Sequence, residues 1–370
     1  MNNLIFFNRI SLAAWDTFLK RPEYELHKWF NLEADLWPAH TTSRVHQLET
    51  PWNLAPTVCP IPEITNNNLD FEQVMDSIAH RQCKEIEESG LTPYLAWSGG
   101  IDSTCILASI LRNASKEFLE KLVILHDDKS IKENAYFFSR FIDKKLTCQD
   151  NNTFVLDASN YDKIVLLDGE AGNQTMGFRA INILRYYDRL DLFAKPWRAQ
   201  RDLKETIPGS TDFTIDLIKE SIPHAPIDIT TCYDFIWWAN FNYKIDEVLI
   251  RKIVGLTRNL TPAQCRTFWN QGLRRFFVDP EMQIWSMNSS DLRREKTKLF
   301  SKYFPKTYIF NFDKNALYYS NKREEASNSN STLKHGDSLS PVFAIDQDWN
   351  KYSMANRADR IQLGKILKRV

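Results

Sequence analysis

From residue 70 onward the chain alternates between helical stripes and short apolar runs. Phe71, Val74, Ile78 and Ile86 fall on one helical face, Asp70 and Gln73 have capping-box spacing, and Gly90 suits the position after a helix end. A strand is predicted at Tyr94–Trp97, followed by a helix carrying Ile106, Leu107, Ile110 and Leu111. The alternation continues with a strand at Leu122–His126, an amphipathic helix near Ile131–Ile142, and strands at Thr153–Leu156 and Ile164–Leu167. Short, continuously apolar strands separated by helices predict an α/β fold in which a parallel sheet is covered by helices on both faces. Such sheets bind ligands beyond the carboxyl ends of their strands. The turns at 98–103 and 168–177 lie at such ends.

The flanks read differently. Residues 1–69 are rich in Trp, Pro and Asn without a sustained period, which predicts an irregular segment with a few short elements. The sheet is expected over 70–190 and a mainly helical, aromatic layer over 191–318, including the run Tyr233-Asp234-Phe235-Ile236-Trp237-Trp238. Aromatic residues within a helix read first as core and only second as a stacking platform. Residues 319–340, dense in Ser, Asn, Lys and Glu, predict a flexible loop, and 341–370 a C-terminal helical tail with a basic helix at Arg357–Arg369.

Composition narrows the function classes. With 370 residues, 43% hydrophobic and 25% charged, the chain is long enough for two packed cores. Lys plus Arg and Asp plus Glu each count 47, so no global positive field favours nucleic acid as a partner. The six cysteines (Cys59, Cys83, Cys105, Cys148, Cys232, Cys265) are scattered without C-x-x-C or zinc-finger spacing, and reduced, mostly buried thiols are expected. No apolar run approaches the roughly 20 residues of a membrane span, and the first residues lack the features of a signal peptide. A cytoplasmic location is the expectation, which makes the sequon-like Asn330-Ser331-Thr332 accidental.

The candidate chemistry begins at Ser98-Gly99-Gly100-Ile101-Asp102-Ser103, between a strand and a helix. A turn that grips phosphates needs inward backbone amides, small side chains and a helix N-terminus behind it, and Ser98, Gly99, Gly100 and Ser103 supply these. Asp102 beside phosphate makes sense with Mg²⁺ between them, since Mg²⁺ favours carboxylate and phosphate oxygens together. The Gly-Lys-Ser/Thr ending of a Walker A loop is absent, which disfavours transfer of a terminal phosphoryl group.

This segment resembles the SGG-[IL]-D-S signature of the PP-loop ATP pyrophosphatases, which include asparagine, GMP and argininosuccinate synthetases and tRNA-modifying enzymes. Asp168-Gly169-Glu170-Ala171-Gly172-Asn173-Gln174-Thr175-Met176-Gly177 resembles the S-G-[ED]-G-[SA]-D-E-[LV]-F-G loop of the asparagine synthetase synthase domain. Arg274-Arg275-Phe276-Phe277-Val278-Asp279 is similar to that family's R-V-P-F-L-D segment. Phe304-Pro305-Lys306, followed by Phe312-Asp313-Lys314, is similar to its L-P and R-x-K stretch. These segments keep the family order over 70–318, and related lactam and macrolactam synthetases share the pattern. The resemblance implies ATP and Mg²⁺ as cofactors, adenylation of a small-molecule or peptide carboxylate, and amide formation with an amine or ammonia, releasing AMP and pyrophosphate.

Residue by residue, the resemblance places Glu170 on the family's catalytic acid and Lys314 on the lysine that steadies the adenylated intermediate. Asp102 and Asn173 fall on the metal ligands, Gly169 in the second turn, and Ile124 and Leu125 where backbone groups receive adenine. Ile124 and Leu125 read equally as sheet core, Glu170 as a loop glutamate, Lys314 as a solvated lysine, and His126 as a structural surface histidine. Three departures stand out. Residue 2 is Asn2 and no cysteine opens the chain, so no glutaminase is expected in it and ammonia would come from a separate protein. Asn173 replaces a metal-binding aspartate, which removes a charge. Gly272 replaces an acid two positions before Arg274, so the acceptor amine is expected to differ. The alternatives are a PP-loop enzyme of nucleobase or tRNA modification and an ATP-binding protein with weakened turnover.

Overall fold

The computed structural model describes residues 4–6, 43–45, 59–65, 69–199, 212–257, 259–289, 292, 295–322, 343–346, 350–353, 358, 359, 361 and 362. The strands in chain order are β1 (Leu4–Phe6), β2 (Thr92–Ala96), β3 (Val123–His126), β4 (Thr147–Asp150), β5 (Ile164–Asp168), β6 (Leu273–Arg275), β7 (Phe343–Asp346) and β8 (Lys351–Ser353). Five of them form a sheet in the order β4-β3-β2-β5-β6, and every pairing in it is parallel. With helices packed around it, this is the predicted α/β arrangement. Strand β5 is buried at every position, whereas β2 alternates between buried and half-buried residues.

The first helix forms as its pattern predicts. Phe71, Val74, Ile78 and Ile86 are buried along Phe71–Ser89, the Asp70 carboxylate accepts from the Gln73 amide at 2.8 Å, and the Gln73 side chain accepts from the Asp70 amide at 3.0 Å. Gly90 takes the left-handed conformation after it. That helix packs on Ile101–Asn113, which is covered in turn by Tyr303–Asp313. The aromatic helix Cys232–Ala239 is buried at every position and serves as core: the Trp237 indole donates to the Thr175 carbonyl and the Trp238 indole to the Ser221 hydroxyl. All six cysteines are free thiols, with Cys148 exposed and the others buried.

Four expectations are corrected. Thr153–Leu156 is not a strand; the sheet edge is β4, whose residues Thr147, Cys148, Gln149 and Asp150 are too polar to show an apolar run. An edge strand has one pairing neighbour and needs no apolar continuity. The helix near Ile131–Ile142 is broken into Asp128–Glu133, Ala135–Phe137 and a π-helical turn, Phe138–Ile142. Asn134 interrupts it, leaving helical geometry while its side chain accepts from the Phe137 amide at 3.2 Å. The helical half returns to the sheet at β6, three residues long with two arginines, which β5 recruits by pairing Leu166, Leu167 and Asp168 with Leu273, Arg274 and Arg275.

The fourth correction concerns the chain ends. Rather than a purely helical tail, β7 pairs antiparallel with both β1 and β8, so the N-terminal and C-terminal segments share a small sheet. Of the proposed basic helix, residues 358, 359, 361 and 362 are helical and the rest lies outside the described residues. Residues 319–321 finish a helix, Ala316–Asn321, and 323–340 of the proposed loop also lie outside the described residues. Most of 1–69 does too, although Ser43 and Arg44 are buried, with the Arg44 guanidinium donating to the Phe241 and Cys59 carbonyls. No helix among the described residues is long and apolar enough to cross a membrane.

The topology brings the two turns together. From β2 the chain steps outward to β3 and β4, then returns to lay β5 on the other side of β2. Because β2 and β5 are parallel and paired from Thr92–Ile164 to Leu95–Leu167, their carboxyl ends open side by side. The turn after β5 ends at Gly177, with φ +83°, where a Cβ would collide with the Tyr233 hydroxyl that donates to the Gly177 carbonyl. Gly177→Ala should therefore lower stability by more than ~1 kcal/mol, read as a lower denaturant midpoint with an unchanged slope.

Candidate functional site

A cavity of about 560 Å³ opens at the carboxyl ends of β2, β3 and β5. Its walls include Ser98, Gly100, Asp102 and Ser103 from the first turn, and Gly169, Glu170 and Asn173 from the second. These predicted residues come from stretches about 70 positions apart in sequence and meet on one surface.

The first turn is built on local hydrogen bonds. The Ser98 amide donates to the Ser103 hydroxyl at 3.1 Å, the two hydroxyls share a 3.0 Å hydrogen bond, and the Gly100 amide donates to Ser98 Oγ at 3.3 Å. Gly100 is the N-cap of Ile101–Asn113, so the positive end of a 13-residue helix stands at the cavity wall. Gly99 supports the wall from behind: its φ is +72°, a Cβ would collide with the Ser130 carbonyl, and its own carbonyl accepts from Tyr318 Oη at 3.3 Å. Such a turn offers backbone donors and a helix terminus to an anion.

Asp102 is already paired. Lys302 Nζ lies 3.1 Å from each carboxylate oxygen, and the lysine side chain is 4% exposed. Sequence reading did not single out Lys302, because it sits 200 positions away in a lysine-rich stretch and its partner is decided by helix packing. Lys314 behaves oppositely. It follows the helix Tyr303–Asp313, is exposed, lies over the Phe310 ring at 5.7 Å and is not part of the cavity wall. The helix ends one residue before it; the wall cations are Lys252, Lys302 and Lys322. Lys322 is ion-paired with Glu133.

The second turn carries two carboxylates. Glu170 lines the cavity and pairs with Lys252 at 3.2 Å. Asp168, the last residue of β5, is 2% exposed and accepts from the Glu170 amide at 3.1 Å. Burial, reinforced by the Glu170 charge, pushes the Asp168 carboxyl up to about 6, against the opposing pull of Lys252 and Arg275. A carboxyl titrating near neutrality in a cavity suits proton transfer. The signal for Asp168 was present in the sequence as a carboxylate ending a buried strand two positions before Glu170.

Leu125 is in the wall and Ile124 is wholly buried sheet core outside it. His126 is a half-buried wall residue, and its Nδ1 is buried without a hydrogen-bond partner. Gly272 is explained by packing: a Cβ there would collide with the Phe268 ring, so no acid fits, and the residue does not line the cavity.

The donor set is compatible with Mg²⁺. Asn173 Oδ1 is buried without a hydrogen-bond partner in the same wall as the Asp102 carboxylate. Among the described residues no group of three or more His, Cys, Asp or Glu side chains could hold a metal ion. One carboxylate and one amide oxygen suit an ion that takes its other ligands from phosphate and water.

No family model matches the chain, and no curated protein matches it.

The raised Asp168 pKa has a stability consequence. Below its ordinary value near 3.8 the carboxyl is protonated in both folded and unfolded chains; between there and about 6 burial and the Glu170 charge keep the proton on in the folded chain alone, and that stability is lost as pH rises through 6. Asp168→Asn should therefore be more stable than the parent at pH 8, by about 3 kcal/mol, with the gap shrinking towards pH 4. Denaturant titrations across that range measure it.

Proposed function

We propose that this cavity binds ATP and that the protein splits it to AMP and pyrophosphate while activating a carboxylate for amide formation. The observation that carries the proposal is the convergence of the Ser98–Ser103 turn and the Asp168–Gly177 turn on one cavity at adjacent strand ends. That convergence, on an all-parallel sheet, also supports a PP-loop fold of the asparagine-synthetase-like kind. The volume lies within the range of small-molecule sites.

In this reading the amides around Gly100 and the helix terminus behind them hold the phosphate chain, and the ends of β2 and β3, with Leu125 and His126, receive the base. Asp102 and Asn173 would hold Mg²⁺, which when bound neutralises phosphate charge. The substrate carboxylate attacks the α-phosphorus, forming an acyl-adenylate and expelling pyrophosphate. An amine then attacks the acyl carbon, AMP leaves, and the amine's surplus proton passes to a carboxylate. Glu170 is in the wall to take it, and Asp168 behind it has a suitable pKa. Lys302 and Lys322 replace Lys314 as the cations nearest the phosphates. The acid is a small molecule or the carboxylate of a peptide, and the nucleophile is an amine or ammonia.

A second reading, a nucleotide-binding protein with weakened turnover, is favoured by the neutral Asn173 and by the Asp102–Lys302 pair, both of which reduce the negative charge offered to a metal.

Purified protein with MgATP and candidate acids should release pyrophosphate and AMP, not ADP. Glu170→Gln should slow release by about 100-fold or more, Asp102→Ala should abolish it, and Lys314→Ala should leave it unchanged. If no acid elicits pyrophosphate and Asp102→Ala matches the parent, the proposal fails. Thermal protection by ATP without product formation would select the second reading.

A further inference from the structure

Lys302 stands where a cation is expected on Asp102. Its Nζ is equidistant, at 3.1 Å, from Oδ1 and Oδ2 of that carboxylate, so the ammonium covers both oxygens rather than one edge. The two residues are set by different helices: Asp102 lies in the first turn of Ile101–Asn113, and Lys302 immediately precedes Tyr303–Asp313, which packs on it. Lys302 holds φ +51°, an uncommon conformation for a residue with a side chain, and its ammonium lies 5.6 Å from the Phe178 ring centre. At 4% exposure against 23% for Asp102, the lysine is the inner partner and the carboxylate the one facing the cavity.

A divalent ion bound to Asp102 would sit roughly 4 Å from this ammonium, close enough for strong repulsion in a poorly solvated wall. The other candidate ligand, Asn173, contributes an oxygen but no charge to offset it. The protein alone therefore presents a neutralised carboxylate. A polyphosphate changes this balance, since its oxygens give the flexible ammonium a new anionic partner and give the metal most of its ligands.

We propose that Lys302 is a positioning residue that keeps divalent cation off Asp102 until a polyphosphate enters, so that metal binding is obligatorily coupled to nucleotide. The naming of ATP as that polyphosphate rests on the proposed function; the exclusion of metal from the nucleotide-free protein does not.

Manganese paramagnetic resonance on the full chain tests it, because protein-bound Mn²⁺ loses the sharp signal of the free ion. Without nucleotide, the parent protein and Lys302→Arg should leave that signal intact, whereas Lys302→Met should bind Mn²⁺ at least tenfold more tightly. Adding Asp102→Asn to Lys302→Met should abolish the gain. Equal nucleotide-free binding by parent and Lys302→Met, or a gain that survives Asp102→Asn, overturns the inference. Should Lys302→Met not fold, Lys302→Gln takes its place. Asp102→Asn alone also decides: no change in nucleotide-free Mn²⁺ binding supports the inference, and a decrease refutes it. Addition of α,β-methylene-ATP or of pyrophosphate to the parent then shows which polyphosphate opens the site. A positive Mn²⁺ result with no pyrophosphate release from ATP would refute the proposed function and leave the lysine's role standing.

Discussion

The parallel pairing of β2 with β5 is the constraint on which the site depends. Each strand ends in a turn that is unremarkable by itself, and the ladder from Thr92–Ile164 to Leu95–Leu167 holds the two exits at neighbouring positions. Parallel strands require crossovers, and here the excursion through β3 and β4 separates the partners by about 70 residues while supplying the third wall of the cavity. The buried aromatic helix below then ties the second turn down, through Trp237 to Thr175 and Tyr233 to Gly177. Backbone donors and a helix terminus at one turn and carboxylates at the other become a single site only through this register.

Charge in the cavity is arranged in compensated pairs. Lys302 covers Asp102, Lys252 reaches Glu170, and Lys322 meets Glu133. Asp168 is buried close to Arg275, its register partner, and to Glu170, and its carboxyl titrates unusually high. In the proposed function an anionic ligand would draw the lysines towards itself and release carboxylates, which would couple its binding to the preparation of acid–base groups. This coupling joins the proposed chemistry to the metal exclusion inferred for Lys302.

Local chemistry was legible in the sequence wherever one segment suffices. The Asp70–Gln73 capping box, the stripe Phe71, Val74, Ile78 and Ile86, the SGGIDS turn and the buried aromatic run all depend on neighbours within a few residues, and all formed as their patterns require. Alternation of apolar runs with helices determined a parallel α/β sheet, because only continuous burial on both faces explains strands such as Ile164–Asp168. What tertiary structure decided were the long-range partners. The polar edge strand β4 and the three-residue β6 exist because a neighbouring strand offers hydrogen bonds, a condition with no local signature. Lys314 and Lys302 differ little as letters in a lysine-rich stretch, yet the first is exposed at the end of one helix while packing against another buries the second on Asp102. Sequence determines which residues can carry a charge; the packing of distant elements determines which charge reaches the cavity.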